Sequence, residues 1–105
     1  MSTMVYNRNM VKIRKTDLYE HWFTTLRDRK ARARIQMRVD RMELGLFGDV
    51  KSVGEGVSEL RIDYGPGYRV YFMQRGNELV ILLAGGNKRT QGKDIKTALE
   101  LAQLY

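Results

Sequence analysis

The run LVILLAGG, residues 79 to 86, limits the possible folds of this chain more than any other segment. A strand with one face in water alternates apolar and polar residues, whereas this run is apolar on both faces. We therefore expect an internal strand of a sheet that is covered on both sides. The preceding segment ELRIDYGPGYRVYF, residues 59 to 72, predicts a hairpin, because apolar and polar residues alternate on either side of a Gly-Pro-Gly turn.

The predicted hairpin gathers polar side chains on one face. If residues 65 to 67 form the loop, Arg61 lies opposite Tyr71 and Asp63 lies opposite Arg69. One interpretation is a solvated face on which an Asp63–Arg69 pair contributes about a few tenths of a kcal/mol. The other interpretation is a binding site built around the two arginines.

Two helices are predicted ahead of the hairpin, after a short strand in residues 10 to 14. Residues 16 to 28 have helical apolar spacing and a candidate N-cap at Asp17. Residues 29 to 45 predict a second helix that stops at Gly45, and the two helices should form a hairpin. The apolar stripe of the second helix consists of Ala31, Ile35, Val39 and Met42.

The remaining segments complete an α+β fold. Residues 44 to 56 are rich in glycine and lack periodicity, so a loop is expected there. Residues 75 to 78 predict a turn, and residues 94 to 105 predict a closing helix whose inward face is Ile95, Leu99 and Ala102. The expected structure is one domain, residues 1 to 105, in which an antiparallel sheet packs against an N-terminal helical hairpin. The polar face of the strand hairpin then lies on the other side of the sheet.

Composition narrows the chemistry and the location of the protein. The chain has no cysteine and only one histidine, His21, which excludes disulfides and thiol nucleophiles and makes histidine metal clusters implausible. We expect neither a metal nor a cofactor. No apolar run approaches the roughly 20 residues needed to cross a bilayer, and the opening MSTMVYNRN lacks a segment of signal-peptide type. The sequence therefore indicates a cytoplasmic protein.

The net charge of +7 comes entirely from the first part of the chain. Residues 1 to 41 hold eleven Lys and Arg against four Asp and Glu, whereas residues 42 to 105 hold eight of each. This asymmetry favours a polyanion or an acidic protein as partner. The second predicted helix is either an ordinary solvated helix or a surface that docks on nucleic acid. Its cations are Arg29, Lys30, Arg32, Arg34, Arg38 and Arg41.

A basic set on or beside one sheet face suits a phosphodiester substrate. The glycine-rich segments lack the lysine and hydroxyl of a P-loop, so nucleoside triphosphate chemistry is not expected. RNA can be cut without metal when its 2′-hydroxyl attacks the adjacent phosphate, and a protein then need only move protons and stabilise charge on phosphorus. Arginine contacts phosphate with two donors, lysine can act as a base, and tyrosine can transfer a proton or stack on a base. The candidates are Lys51, Arg61, Arg69, Tyr71, Lys88 and Arg89.

Three segments of the chain resemble a known family. WFTTLRDRKARARI, GLFGDVKSVGEGVSELRIDYGPGYRVYF and LLAGGNKRTQGKDI are similar to the HigB-like addiction-module killer proteins of the RelE/ParE toxin superfamily. The resemblance runs from about Thr16 to Ala102. It implies the RelE-like, microbial-ribonuclease-like fold and a cognate antitoxin, usually a small helix-turn-helix DNA-binding protein of the HigA type.

The resemblance also implies roles for individual residues. By position, Arg61 and Arg69 match the strand arginines that HigB-like toxins place around the scissile phosphate, and Lys51 matches a loop lysine. Lys88 and Arg89 match the basic segment after the last strand, although that segment lacks the histidine of several members. The general acid and base therefore stay open, with Lys51 and Lys88 as candidate bases.

Function divides within the resembled superfamily. RelE-like and HigB-like members cut messenger RNA in the ribosomal decoding site, whereas ParE-like members poison DNA gyrase. The resemblance favours a metal-independent, ribosome-dependent mRNA endoribonuclease that inhibits translation. The alternatives are a gyrase inhibitor without ribonuclease activity and a degenerate member that only binds its antitoxin.

Overall fold

The computed structural model of the protein describes residues 10 to 105. The opening segment, for which no signal-type sequence is expected, and Arg8 of the charge count lie outside the described residues. In chain order the elements are strand β1 (Lys12–Lys15), helix α1 (Asp17–Thr25), helix α2 (Arg29–Glu43), strands β2 (Val50–Gly54), β3 (Val57–Ile62), β4 (Tyr68–Arg75) and β5 (Leu79–Asn87), a 3-10 turn (Lys88–Thr90) and helix α3 (Gln91–Ala102). Among residues 10 to 105, no helix has the length and apolar character to span a bilayer.

The strands form one mixed sheet in the order β1-β5-β4-β3-β2. The prediction of an antiparallel sheet is wrong at one edge, because β1 pairs with β5 in parallel, with Lys12 beside Leu79 and Lys15 beside Leu82. The prediction for β5 is confirmed, because this strand lies between β1 and β4 and its residues Val80 to Ala84 are all buried. The apolar run thus identified an internal strand covered on both faces.

The predicted loop of residues 44 to 56 contains an additional strand, β2. This strand pairs antiparallel with β3 and forms the other edge of the sheet, with Lys51 beside Glu59. Four of its five residues are exposed and Val53 is half-buried, so its sequence carries no apolar alternation. Glu55 and Gly56 join β2 to β3 with φ angles of 50° and 81°, the left-handed geometry of a tight hairpin turn.

The β3–β4 hairpin has a longer loop than predicted. Ile62 pairs with Tyr68 and Arg61 pairs with Arg69, so the loop comprises residues 63 to 67 rather than 65 to 67. The extra residues form a turn of their own, which the Gly67 amide closes by donating to the Tyr64 carbonyl at 3.0 Å. The two arginines are therefore direct cross-strand neighbours.

Helices α1 and α2 pack against the same face of the sheet. Tyr19 of α1 and the predicted α2 stripe are buried together with β-strand residues such as Leu60, Val70 and Leu82. Trp22 lies directly over Gly85 of β5, where a side chain larger than hydrogen would collide with the indole ring. The glycine thus lets α1 approach the sheet closely.

The ends of α1 and α2 show one deviation from the predicted caps. Thr16, not Asp17, caps α1, because its hydroxyl accepts from the Tyr19 amide at 3.0 Å and donates to the Leu83 carbonyl at 2.7 Å. Thr16 is therefore bonded to both the helix and β5. Helix α2 ends before Gly45 as predicted, and the φ of Gly45 is +77°.

Helix α3 covers part of the opposite sheet face, the face on which the polar residues of the hairpin were expected. The helix starts at Gln91, three residues earlier than predicted, because the polar segment after β5 folds into a 3-10 turn that continues into it. Its apolar residues pack against Val57, Ile81 and Leu83. The inward-facing residues are the predicted Ile95, Leu99 and Ala102, together with the fully buried Ala98.

Candidate anion-binding site

A cleft of about 480 Å³ opens at the loop end of the β3–β4 hairpin. Three cations from three elements line it: Arg61 of β3, Arg69 of β4 and Lys88 of the 3-10 turn. The remaining wall consists of two carboxylates, Asp49 and Asp63, and the loop residues 65 to 67. The lining therefore carries three positive and two negative side chains.

The sheet register brings the three cations together. Arg61 and Arg69 are paired across β3 and β4, and β5 continues beside β4 with Asn87 next to Tyr68. The Lys88 amide donates to the Gly67 carbonyl at 2.9 Å, which fixes the 3-10 turn against the hairpin loop. Residues distant in sequence thus reach one cleft through backbone pairing alone.

Arg61 forms an exposed ion pair with Asp49 at the cleft wall. Its Nη2 lies 2.9 Å and its Nε 3.2 Å from the same carboxylate oxygen, Oδ1. The hydrogen bond from Arg61 holds the pKa of Asp49 below its usual range. Because the two side chains are 36% and 56% exposed, solvent screens the pair and an incoming anion could compete with Asp49 for the guanidinium.

Arg69 is buried, which corrects the prediction of a solvated arginine on an open strand face. The residue is 8% exposed, and its Nη1 donates to the Tyr68 carbonyl at 3.3 Å. Its Nε lies 3.8 Å from Oε1 of Glu59, a carboxylate that is itself 2% exposed. Glu59 supplies the opposite charge that a buried guanidinium requires, but the Nε of Arg69 makes no hydrogen bond among the described residues.

Tyr71 lies on the same sheet face but is fully buried, so its place on an open polar face is also corrected. Its hydroxyl has no hydrogen-bond partner among the described residues. Burial, and then the charges of Glu59 and Asp94, raise the pKa of Tyr71 above its ordinary value. Tyr71 does not line the cleft, and in this position it cannot stack on a base.

Two further sequence candidates also lie outside the cleft lining. Lys51 is exposed on the edge strand β2. Arg89 is exposed in the 3-10 turn, where its amide donates to the Asn87 side chain at 2.8 Å. The structure therefore brings Arg61, Arg69 and Lys88 together and leaves Lys51, Tyr71 and Arg89 apart from them.

The cations of α2 divide into two groups. Arg32 donates to the Leu26 carbonyl, the Arg34 guanidinium lies 4.7 Å from the centre of the Tyr64 ring, and Arg38 binds the carbonyls of Arg61 and Phe47 at 2.6 and 3.1 Å. Arg34 is nevertheless exposed, as are the other three cations of the helix, Arg29, Lys30 and Arg41. A smaller cleft of about 200 Å³ adjoins α2, and its wall includes Arg34, Arg38, Arg41 and the Asp63 of the first cleft.

Sequence reasoning did not assign a role to Asp49 or Glu59. Glu59 could have been found, because it lies two residues from Arg61 and hence on the same strand face. Asp49 gave no comparable signal, since it precedes the edge strand that lacks periodicity. Within residues 10 to 105, no group of three or more His, Asp or Glu side chains is arranged to hold a metal ion.

The cleft is suited to an anion that carries more than one oxygen. Two guanidinium groups and one ammonium group can each donate hydrogen bonds to different oxygens of the same group, and charge-assisted bonds of this kind are the strong ones. The two carboxylates at the wall reduce the positive potential without removing it. A phosphate group has the charge and the number of acceptors to match this lining.

Comparison with known proteins gave two matches. The family model of the phage-derived Gp49-like proteins (DUF891) matches residues 21 to 104, a range that includes all three cations of the cleft. A Haemophilus influenzae protein described as an uncharacterized protein is 50% identical over 93 residues. That alignment covers 89% of this chain and 94% of the relative.

Proposed function

This chain belongs to the Gp49-like family of phage-derived proteins, a RelE/toxin-like family, and from that membership we propose that it is the toxin of a type II toxin–antitoxin module. The family points to a toxin-like protein with an antitoxin partner. We propose further that it acts in the cytoplasm as a HigB-like, ribosome-dependent endoribonuclease that cuts messenger RNA. The observation that carries this proposal is the convergence of Arg61, Arg69 and Lys88 on one cleft.

In the proposed reaction the 2′-oxygen of the RNA gives up its proton to a base and bonds to the adjacent phosphorus, the bond from phosphorus to the 5′-oxygen breaks, and the 5′-oxygen takes up a proton, which leaves a 2′,3′-cyclic phosphate. Arg61 and Arg69 bind the phosphate oxygens and stabilise the negative charge that grows on them in the transition state. Lys88 is the lysine that lines the cleft, which favours it over Lys51 as the group that moves a proton or gives a third phosphate contact. The buried Tyr71 takes no direct part.

The partners follow from the charge distribution. Three of the exposed cations of α2, Arg29, Lys30 and Arg41, would dock on ribosomal RNA, a contact that depends on salt and not on base sequence. The antitoxin, proposed to be a HigA-like helix-turn-helix protein, would cover the cleft or the α1–α2 surface. Either position would block access of messenger RNA.

The test of this function uses Arg61, because its side chain is partly exposed and its truncation opens no core cavity. After induced expression, the wild type should arrest growth and produce transcript ends in phase with codons. Arg61→Ala should lower cleavage by about 10²–10³-fold, the usual loss when one donor to a transition-state oxyanion is removed. Arg61→Lys should also be impaired, because lysine keeps the charge but loses the two-pronged contact.

The matched control is Arg75→Ala, since Arg75 is exposed at the opposite end of β4 from Arg69. This variant should remain toxic, and circular dichroism should show that both alanine variants are folded. If Arg61→Ala still arrests growth while transcripts stay uncut and gyrase-dependent DNA breaks increase, the ribonuclease proposal is wrong. The gyrase-inhibitor alternative would then replace it.

A further inference from the structure

We propose that Glu59 is the positioning residue that orients the Arg69 guanidinium in the cleft, and that Gln91 at the start of α3 holds Glu59 in place. The inference deepens the proposed function, because it concerns how the phosphate-binding arginine of that site is held. Glu59 itself does not line the cleft. Its role is therefore indirect.

Glu59 is a buried carboxylate on the sheet face that α3 covers. It is 2% exposed, and its Oε1 receives a hydrogen bond from Gln91 Nε2 at 3.1 Å and lies 3.8 Å from Arg69 Nε. Burying a carboxylate carries a large desolvation cost, and an apolar residue at such a site is often as stable or more stable. Packing alone therefore does not account for a charge at this position.

The contacts of Arg69 divide between its Nε and its two terminal nitrogens. Glu59 lies on the Nε side, while the arginine also contributes to the cleft wall. Nη1 makes only a long hydrogen bond of 3.3 Å, to the Tyr68 carbonyl. Nε has no hydrogen-bond partner among the described residues, so Glu59 acts on Arg69 through the attraction of opposite charges across 3.8 Å. This attraction restrains the rotation of the guanidinium and leaves Nη2 and the second proton of Nη1 able to donate to a bound anion.

Arg61 is held in a different way. Its partner Asp49 contacts both Nε and Nη2 and belongs to the cleft wall itself. An anion that binds Arg61 must compete with Asp49, whereas an anion that binds Arg69 does not meet Glu59. Removal of the Asp49 charge should therefore strengthen anion binding, whereas removal of the Glu59 charge should weaken it.

The segment after β5 connects Lys88 with Glu59, the partner of Arg69. Asn87 and Thr90 close this segment through reciprocal side-chain hydrogen bonds, and Lys88 lies between them. The next residue is Gln91, whose side chain reaches Glu59. The turn that presents Lys88 to the cleft thus also determines where Gln91 holds the partner of Arg69.

The experiment measures binding of inorganic phosphate to the full chain by titration calorimetry, at a temperature where circular dichroism shows each variant folded. Glu59→Gln keeps the shape of the side chain and removes its charge. Simple Coulomb attraction predicts tighter anion binding in this variant, because a negative charge near the cleft has been removed. The positioning role predicts the opposite, a loss of about tenfold in affinity, as expected when a misoriented Arg69 loses one charge-assisted hydrogen bond to the phosphate.

Two carboxylate variants serve as references. Asp49→Asn should bind phosphate more tightly, because it removes the competitor of Arg61, and Glu78→Gln in the exposed β4–β5 turn should bind like the wild type. In an Arg69→Lys background, Glu59→Gln should have little further effect, since a residue that acts through Arg69 has nothing left to orient. The Arg69 Nε–H signal in the nitrogen–proton NMR spectrum should be sharp in the wild type and broadened in Glu59→Gln.

Unchanged or tighter phosphate binding by Glu59→Gln would overturn the positioning role, as would an equally large loss in the Arg69→Lys background. Should Glu59→Gln fail to fold, Gln91→Ala replaces it, because this variant keeps both buried charges. Gln91→Ala should lose less phosphate affinity than Glu59→Gln is expected to lose. If Gln91→Ala binds phosphate as tightly as the wild type, the proposal is overturned. The binding measurement involves no RNA, so the two proposals can fail separately. If transcripts stay uncut but phosphate binding depends on Glu59, the endoribonuclease proposal is rejected and the positioning role of Glu59 is retained.

Discussion

At the scale of single residues, the hydroxyl of Tyr71, like that of Tyr19, is a polar group without a structural benefit. It is buried and has no partner among residues 10 to 105, so Tyr71→Phe should leave the free energy of unfolding unchanged or raise it by about 1 kcal/mol. Cleavage of RNA should persist, because the residue does not line the cleft. Denaturant unfolding and transcript mapping would check both outcomes.

Tyr71→Phe should also alter how the free energy of unfolding responds to alkaline pH. The pKa of Tyr71 is raised by burial, so the folded state favours the neutral phenol. Its contribution to stability is complete below the unfolded pKa of about 10 and is lost as the pH rises above that value. Tyr71→Phe should therefore lose less stability than the wild type above pH ~10, and identical alkaline profiles would contradict the burial of this hydroxyl. The pKa values of Tyr19 and Tyr64 are also raised by burial, so both residues contribute to the loss that remains.

Some residue-level features could be predicted from sequence and others could not. The residues of the α2 stripe were identified because helical periodicity depends only on local spacing. The burial of Arg69 was missed; its partner Glu59 is bonded by Gln91 of α3, a helix that returns to this sheet face about 20 residues later in the chain. Local alternation places Arg69 on a face but cannot tell whether another element covers that face.

At the scale of elements, the cations of α2 should separate into structural and docking groups. A triple substitution of the exposed Arg29, Lys30 and Arg41 by glutamine should leave stability nearly unchanged, since surface substitutions usually stay within about 0.5 kcal/mol each. Its binding to ribosomes should weaken, and the salt dependence of log affinity should flatten by roughly 2 to 3 units of slope. Sedimentation with ribosomes over a salt series provides the measurement.

Arg38→Gln is the contrasting variant on the same helix. Arg38 donates to the backbone carbonyls of Arg61, Phe47 and Asp49, so its loss leaves acceptors unpaired and should destabilise the fold by about 1–3 kcal/mol. If the triple variant unfolds more readily than Arg38→Gln, the division of the α2 cations into a structural and a docking group is wrong. Unaltered salt dependence in the triple variant would remove the docking role of α2.

The elements themselves were predictable where they contact a core and unpredictable at the edges of the sheet. Strand β5 and the two N-terminal helices follow from apolar patterns that burial requires. Strand β2 was missed because an edge strand that is mostly exposed needs no such pattern. The hairpin register shifted because the turn at Tyr64 to Gly67 depends on a backbone hydrogen bond that the sequence does not specify.

At the scale of the whole molecule, the sequence predicted the α+β class and a sheet covered on both sides around β5, but not the parallel edge of that sheet. Helices cover both faces of the sheet, and β1 closes one edge in parallel. Parallel pairing of β1 with β5 joins residues more than sixty positions apart, so no local pattern announces it. The candidate site depends on the same long-range order, since its cations come from three separate elements.

The cross-strand pairing of Arg61 with Arg69 has a consequence for the stability of the whole domain. Like charges directly opposite each other destabilise a sheet, so the domain should gain stability when an anion neutralises them. A ligand at 100 times its dissociation constant adds about 2.7 kcal/mol, and each kcal/mol raises the melting temperature of a domain of this size by roughly 4–8 °C. Phosphate should therefore raise the melting temperature of the wild type, and Arg61→Ala should show a much smaller rise. Thermal melting could then rank candidate nucleotides as ligands without a ribosome, an antitoxin or a living cell.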